Sequence, residues 1–186
     1  MRFLKDDHNL FYTGVGVAFW AWVIWLIVGT LQAQQIADLA PEWRQRNRAG
    51  SCGHASTTSA LRWVQQFDKA TEWWAKYRNG ENFARHLDRL QAQGIRYVAT
   101  SDGDERVLEY ASWSRRGAVV YWPPGHIVNY LGRTGDTVFI LDNNHVGRLD
   151  EHEYARWVQQ WRRNSGCAFV IIDGEAPPPV PEGKRA

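Results

Sequence analysis

The sequence predicts an α+β domain with one membrane-spanning helix in front of it. Apolar residues recur at helical spacing through the first half of the globular part, from about residue 51 to residue 113. Short β-prone runs separated by turn-forming residues dominate the second half, from residue 118 to residue 172. Helices that come first and an antiparallel sheet that comes afterwards are typical of the α+β class.

Five segments are expected along the 186 residues. Residues 1–9 form a short N-terminal segment, residues 10–31 a transmembrane anchor and residues 32–40 a linker. The globular domain is expected to run from residue 41 to residue 173. The tail 174–186 is rich in proline and has little to bury, so we expect it to be disordered.

The anchor is predicted from Leu10–Leu31, which contains no charged residue over 22 positions. As a helix that rises about 1.5 Å per residue, it would reach roughly 33 Å, enough to cross a hydrocarbon core. A cleaved signal peptide is the alternative, but its apolar core usually runs about 7–15 residues, so a retained anchor is favoured. Arg2 and Lys5 are the basic residues nearest to the span. They indicate an inside N-terminus and a periplasmic or extracellular domain.

Composition excludes some classes of function. The net charge is +2 and the basic residues are scattered, so no surface typical of nucleic-acid binding is indicated. The 11 tryptophans supply ample core. Several of them recur at helical spacing and are expected to be buried rather than to bind ligands: Trp63, Trp73, Trp74, Trp157 and Trp161.

Four helices are expected before the sheet. They cover residues 51–67, 70–78, 82–93 and 102–113, with a short extended run over 95–99. Three strands follow at 118–122, 127–131 and 137–141, the last two joined by a five-residue loop, Gly132–Asp136. A helix over 151–161 and a strand over 167–172 complete the domain.

Cys52 is the candidate nucleophile. It lies in the run GSCGHAS, Gly50–Ser56, at the predicted start of a helix, where the positive end of the helix dipole favours a thiolate. The small neighbours leave room for a substrate, and the free N–H groups of the first turn can face an oxyanion. The alternative is a disulfide to Cys167 or an inert buried thiol. Cys167 itself lies in an apolar strand and fits the inert role.

His126 is the candidate base, because it opens a predicted strand after the break Pro123–Gly125. The hairpin brings Asp142 beside it, and Asn143 is one place further along, so either side chain could orient the imidazole. His54, His145 and His152 are expected at the surface or behind the site. Cys52, His54 and His126 could suggest zinc, but no second ligand pair supports a metal.

Three short motifs occur in this order along the chain: GSCGHAS at Gly50–Ser56, GHIVNYLG at Gly125–Gly132 and ILDN at Ile140–Asn143. Together with GIRY at Gly94–Tyr97, they resemble the papain-like cysteine peptidases. The resemblance is strongest to the double-glycine peptidases, which remove leader peptides from exported bacteriocins, and their peptidase-like relatives. It covers about Arg44–Ile172.

The resemblance implies a papain-like fold, N-terminal helices packed on an antiparallel sheet, without a cofactor. It implies Cys52 as nucleophile, His126 as base, Asp142 as orienting residue and a preceding glutamine, here Gln45, as oxyanion donor. The substrate would be a peptide or protein. No ATP-binding motif of the Gly-x-x-x-x-Gly-Lys type is present, so any transporter partner in the membrane would be a separate chain.

Two other functions remain open at this point. The same three residue types serve cell-wall amidases and acyltransferases. A catalytically silent module that binds or scaffolds at the membrane would keep the fold without the chemistry. A Cys52–Cys167 disulfide would favour this silent module.

Overall fold

A computed structural model describes residues 40–122 and 125–176 of the chain. The predicted anchor 10–31, the segments on either side of it up to residue 39 and the tail from residue 177 lie outside these residues. Among the described residues, no helix combines the length and the apolar character that a membrane crossing needs. The described part contains both helices and an antiparallel sheet, which confirms the α+β class.

Five helices form in the described residues: α1 Cys52–Trp63, α2 Phe67–Lys76, α3 Phe83–Ala92, α4 Arg106–Trp113 and α5 Tyr154–Asn164. A short 3₁₀ turn, Pro41–Trp43, precedes them. The predicted helix 51–67 was too long, because the chain turns after Trp63 with Gln65 in a left-handed conformation, φ 61°. The next helix accordingly begins earlier than expected, at Phe67.

Six strands form one sheet: β1 Tyr97–Thr100, β2 Ala118–Trp122, β3 His126–Thr134, β4 Thr137–Leu141, β5 Asp150–Glu153 and β6 Ala168–Ile171. Their order across the sheet is β1-β6-β2-β3-β4-β5, and each neighbouring pair is antiparallel. β5 is polar and was not predicted. It is an edge strand, where alternation with apolar residues is not required.

The hairpin between β3 and β4 is tighter than expected. The loop contains only Gly135 and Asp136, and Thr134 pairs with Thr137. A bulge at Leu131 then shifts the register by one residue, since Tyr130 pairs with Ile140 and Gly132 pairs with Phe139. The predicted five-residue loop was therefore wrong, because its glycine at position 132 lies within the strand and does not form the turn.

The core lies on both faces of the sheet. On one face, Leu61, Trp73 and Leu90 of α1, α2 and α3 pack against Ile127 and Phe169. On the other face, α4 and α5 cover the sheet through a second cluster: Val107, Leu108, Trp157 and Trp161 against Val120, Val128, Ala168 and Val170. Neighbouring residues of one strand reach opposite clusters because side chains alternate across a sheet. The tryptophans predicted to be core are buried, apart from Trp74, which is half-buried.

Candidate active site

Cys52 is the first residue of α1, and its side chain lies close to the surface with the residue 7% exposed. The chain enters the helix through Ala49 and Gly50, both with positive φ, 40° and 83°. Ser51 precedes the helix but its side chain does not cap it. The first-turn N–H groups therefore have no side-chain cap beside the sulfur, and can stabilise negative charge there.

Gly53 explains how closely the helix start approaches the strand that carries His126. A Cβ at Gly53 would lie 2.8 Å from Cδ1 of Ile127 and 3.2 Å from Cε1 of His86. Real Cβ contacts are rarely so short, so a larger residue would require the Ile127 or His86 side chain, or the first turn of α1, to shift. The glycine thus allows close packing at the start of the nucleophile helix.

His126 is the first residue of β3, and Asp142 follows the last residue of β4. Nε2 of His126 lies 2.8 Å from Oδ1 of Asp142. The same oxygen accepts the backbone N–H of Asn144 at 2.8 Å, so a local turn fixes the carboxylate. Asp142 occupies Nε2, which leaves Nδ1 of the ring for Cys52.

Asp142 reaches His126 although the strand register differs from the predicted one. Counting from the five-residue loop placed Asp142 level with His126, whereas Leu141 in fact pairs with Asn129. The chain leaves β4 after Leu141 and turns, and this turn carries the carboxylate to the ring.

Cys52 and His126 each shift the pKa of the other toward its charged form. Burial opposes ionisation of the Cys52 thiol, but the hydrogen bond and charge of His126 outweigh it, helped by backbone hydrogen bonds from Ile127 and Gly53, and the pKa is lowered. The hydrogen bond to Cys52 raises the pKa of His126 against the effect of burial, and Asp142 adds to it. Thiolate and imidazolium therefore stabilise each other.

Asn143, the alternative orienting residue, lies elsewhere. It is fully buried, and its Nδ2 lies 2.6 Å from the Ile127 carbonyl oxygen, 2.9 Å from Ser56 Oγ and 3.1 Å from the Cys52 carbonyl oxygen. Its amide therefore ties the start of α1 to the start of β3. Its role is to hold the two elements of the site together, while Asp142 contacts the ring.

Gln45, the predicted oxyanion donor, makes its hydrogen bonds with Ser59 and Arg46. Its backbone N–H donates to Ser59 Oγ at 2.8 Å, and its side-chain amide donates to the Arg46 carbonyl at 3.2 Å. Ser59 is seven residues along α1, roughly 10 Å from the helix start. Asn47 lies nearer, since its Oδ1 accepts from Ser51 Oγ at 3.2 Å and its Nδ2 donates to Asn144 Oδ1 at 2.9 Å.

Cys167 is separate from this site. Both cysteines are free thiols, so the two are not joined by a disulfide. Sγ of Cys167 lies 3.3 Å from the Ser165 carbonyl oxygen, and burial raises the pKa of its thiol. A thiol that contacts carbonyl oxygens keeps its proton, which agrees with the inert role expected for Cys167.

His54 was expected at the surface or behind the site, and it lies behind the site, 1% exposed, next to Glu81 and His86. Sequence reasoning missed this buried cluster. His86 and Glu81 carry no motif, and His86 lies on the buried face of α3 together with Leu90. The adjacent pair Gly53 and His54 beside the nucleophile was the one available signal.

Comparison with known proteins bears on the fold. No protein-family model matches the chain, and no curated protein matches it in sequence. Among solved structures, one match is a double glycine motif protease from an AMS/PCAT transporter, determined in complex with its leader peptide. The TM-score is 0.51 with 17% sequence identity, over 68% of this chain and 87% of that one. At this identity the likeness concerns the fold alone: the described domain shares an arrangement of helices and antiparallel sheet with that protease.

Proposed function

We propose that this protein is a thiol peptidase that hydrolyses amide bonds of peptides through Cys52, His126 and Asp142. The observation that carries the proposal is the arrangement at the helix start: His126 is hydrogen-bonded to the Cys52 thiol and lowers its pKa, and Oδ1 of Asp142 lies 2.8 Å from Nε2 of the same ring. The fold shared with a peptidase supports the same reaction class. A peptide is the favoured substrate because that peptidase was determined with a leader peptide.

The reaction would follow from the two charged groups. The Cys52 thiolate attacks the carbonyl carbon of the substrate. The oxyanion of the resulting tetrahedral intermediate accepts hydrogen bonds from the N–H groups of the first turn of α1. The imidazolium of His126 gives its proton to the leaving amine as the C–N bond breaks, which yields a thioester. His126 then takes a proton from water, the hydroxide adds to the thioester, and the C–S bond breaks to release the acid and the thiolate.

Asn47 is our candidate for the second oxyanion donor in place of Gln45. Its carboxamide oxygen accepts a hydrogen bond at 3.2 Å from the hydroxyl of Ser51, the residue beside the nucleophile. It also contacts Asn144, whose Nδ2 lies 3.3 Å from Nε2 of His126. A carboxamide between these two elements is placed to turn its N–H₂ toward a substrate oxygen.

The test is peptide cleavage followed by mass spectrometry, with a pooled peptide library and the purified chain. Wild-type protein and Cys167→Ala are expected to cleave, and Cys52→Ala is expected to be inactive. The two cysteine variants are matched controls, because both remove one thiol. Cleavage by Cys52→Ala would contradict the proposal. Release of peptidoglycan fragments with no cleavage of library peptides would replace it with a cell-wall amidase.

Membrane attachment is a further part of the proposal and rests on the apolar run Leu10–Leu31 in the sequence. A protein anchored by about 20 apolar residues should stay in the membrane fraction after carbonate extraction. A version that begins at Pro41 should be released into the supernatant. Recovery of the full chain in the supernatant would remove the anchor from the account.

A further inference from the structure

Three ionisable side chains are buried directly behind the nucleophile helix, outside the reacting groups. His54 and His86 are 1% and 0% exposed, and the Glu81 side chain is 3% exposed. Oε1 of Glu81 lies 3.3 Å from Nδ1 of His86 and 3.5 Å from Nε2 of His54. We call these three residues the carboxylate cluster. Ionisable groups are rarely buried so deeply without a role or a partner.

The charge of the cluster is balanced by arginine. Oε2 of Glu81 lies 2.5 Å from Nε of Arg89, and Arg85 approaches the same oxygen at 4.0 Å. Burial lowers the pKa of both histidines, that of His86 to about 3, so their rings are neutral. Burial raises the pKa of Glu81, while Arg89 and Arg85 act against the rise and favour the carboxylate.

A metal ion is the first alternative to consider, since one ligand atom from each of the three residues lies within 4.8 Å of the others. Nε2 of His54 lies 2.8 Å from the Asn79 carbonyl oxygen, which can only accept, so this nitrogen carries a proton and only Nδ1 of that ring could bind an ion. One feature disfavours a metal: the carboxylate already holds the guanidinium of Arg89, and a divalent cation would add more positive charge to a buried site.

The cluster is joined to the start of α1 by several contacts. His54 is two residues after Cys52, and its ring stacks between Tyr77 and His86 at centroid distances of 5.5 and 5.2 Å. Nε2 of His86 lies 2.8 Å from Thr57 Oγ1, on the next turn of α1. His86 also lies against Gly53, the residue that follows the nucleophile.

The loop that carries Glu81 also touches the turn before the nucleophile. A Cβ at Gly80 would lie 2.9 Å from the Gly50 carbonyl oxygen, so the two backbones are in direct contact. Tyr121, on β2, lies near both Glu81 and Cys52. Burial raises the pKa of its hydroxyl, and the negative charges of Glu81 and Cys52 add to the effect.

We propose that Glu81 is a positioning residue for Cys52: its carboxylate, held by Arg89, anchors the loop whose Asn79 carbonyl accepts the His54 Nε2–H at 2.8 Å, and so fixes the first turn of α1. This inference rests on the proposed thiol chemistry. A buried ion pair adds little net stability, because desolvation offsets the attraction. Its contribution here is geometric, since the thiolate depends on the first-turn N–H groups and on the distance to His126.

The direction in which the thiol pKa of Cys52 moves separates a positioning role of Glu81 from a direct effect of its charge. Removing a nearby negative charge would by itself lower the pKa of the Cys52 thiol. Losing the position of the first turn would raise it, because the N–H groups and His126 would no longer favour the thiolate. Glu81→Ala is expected to raise the thiol pKa by about one unit, which slows alkylation at pH 7 about tenfold.

The experiment is the pH dependence of iodoacetamide alkylation at Cys52, resolved by mass spectrometry and paired with thermal unfolding. Asp173→Ala is the matched control. Asp173 is also a carboxylate held by an arginine, Arg96 at 2.6 Å, but it lies near the other end of α1, where Glu175 N–H donates to the Val64 carbonyl. The control is expected to lower the melting temperature without moving the thiol pKa.

Two more variants keep the test decisive if Glu81→Ala does not fold. His54→Phe keeps the ring stack but loses the Nε2 donor, and is expected to raise the thiol pKa. Glu81→Gln keeps an acceptor oxygen for Arg89 and is expected to recover most of the lost reactivity. An unchanged or lowered thiol pKa in Glu81→Ala or His54→Phe would overturn the proposal, as would an equal rise in Asp173→Ala.

Metal binding is measured on the same samples. Stoichiometric zinc that survives dialysis of the wild type and is lost in Glu81→Gln would overturn the positioning role in favour of a metal site. The thiol measurement also separates this inference from the proposed function. An ordinary thiol pKa in the wild type refutes the ion pair itself, whereas a low wild-type value that the variants leave unchanged refutes only the role of Glu81.

Discussion

Cys52 and Cys167 are the same side chain in two opposite environments. Around Cys52 the contacts are donors: His126 and the backbone N–H groups of Ile127 and Gly53, which lower the pKa of the thiol. Around Cys167 they are acceptors, the carbonyl oxygens of Ser165 at 3.3 Å and Ser101 at 4.0 Å. Burial there raises the pKa.

The difference teaches that burial alone does not set the reactivity of a cysteine. Cys52 is the more buried of the two residues and still has the lower thiol pKa. The direction depends on whether the surrounding groups stabilise the thiolate or the proton. The start of a helix supplies donors, whereas the entry to an interior strand supplies carbonyls.

The largest effect should come from removing the charged donor. His126→Ala leaves Cys52 without its partner, so we expect the thiol pKa to rise and peptide hydrolysis to fall by about 10²–10⁴-fold. Labelling of Cys167 serves as the internal control and should stay the same. Steady-state kinetics measures the loss of hydrolysis, and site-resolved alkylation measures the change in the thiol pKa. Full activity in His126→Ala would assign the base to another residue.

Asp142→Asn should have the next largest effect. The carboxylate raises the pKa of His126, so its loss lowers that pKa, and the imidazolium is lost at a lower pH than in the wild type. The alkaline limb of the pH–rate profile should therefore move to lower pH, and kcat should fall about 10²-fold as the ring loses its fixed orientation. Asn144→Ala, which removes a longer contact at 3.3 Å, is the control and should move the limb less.

Asn143→Ala tests the link between the two elements. The amide donates to acceptors on α1 and on β3, so its removal leaves buried carbonyl oxygens without a donor. We expect the free energy of unfolding to drop by about 1–3 kcal/mol. Urea unfolding measures it. A loss of activity without any loss of stability would instead make Asn143 a member of the catalytic group.

Gln45→Ala should give the smallest effect. Its exposed side chain donates to the Arg46 carbonyl, so kcat should stay within about twofold and the stability within about 0.5 kcal/mol. Asn47→Ala is the matched comparison, with a shorter carboxamide closer to Ser51, and should lower kcat more while KM changes little. A larger loss in Gln45→Ala than in Asn47→Ala would restore Gln45 as the donor.

The sequence predicts the candidate residues Cys52 and His126 better than it predicts the strand register and the turns that bring other residues to them. The positions of Cys52 and His126 follow from local signals, a helix start among small residues and a strand start after a Pro-Pro-Gly break. Asp142 was expected from a loop that does not exist, and the bulge and the turn after Leu141 are what bring it to His126. Local residue patterns carry no signal for such compensating irregularities.

Long-range contacts account for what the sequence could not predict. Asn143 was predicted as an alternative residue to orient His126, and only its burial between α1 and β3 shows that it joins them. His86 occupies an apolar position of α3, and only the fold shows that Glu81 faces it. A polar residue that bonds to distant parts of the chain carries no periodic pattern, so composition and spacing cannot reveal it.

The central claim is that Cys52 is held as a thiolate by His126, and the most direct measurement is the alkylation rate of both cysteines in the wild-type protein as a function of pH. The account predicts that Cys52 reaches half its maximal rate below pH 8.5, the approximate value for a free cysteine, and that Cys167 does so above it. A Cys52 that titrates at or above that value, or a disulfide between the two cysteines, would contradict the claim.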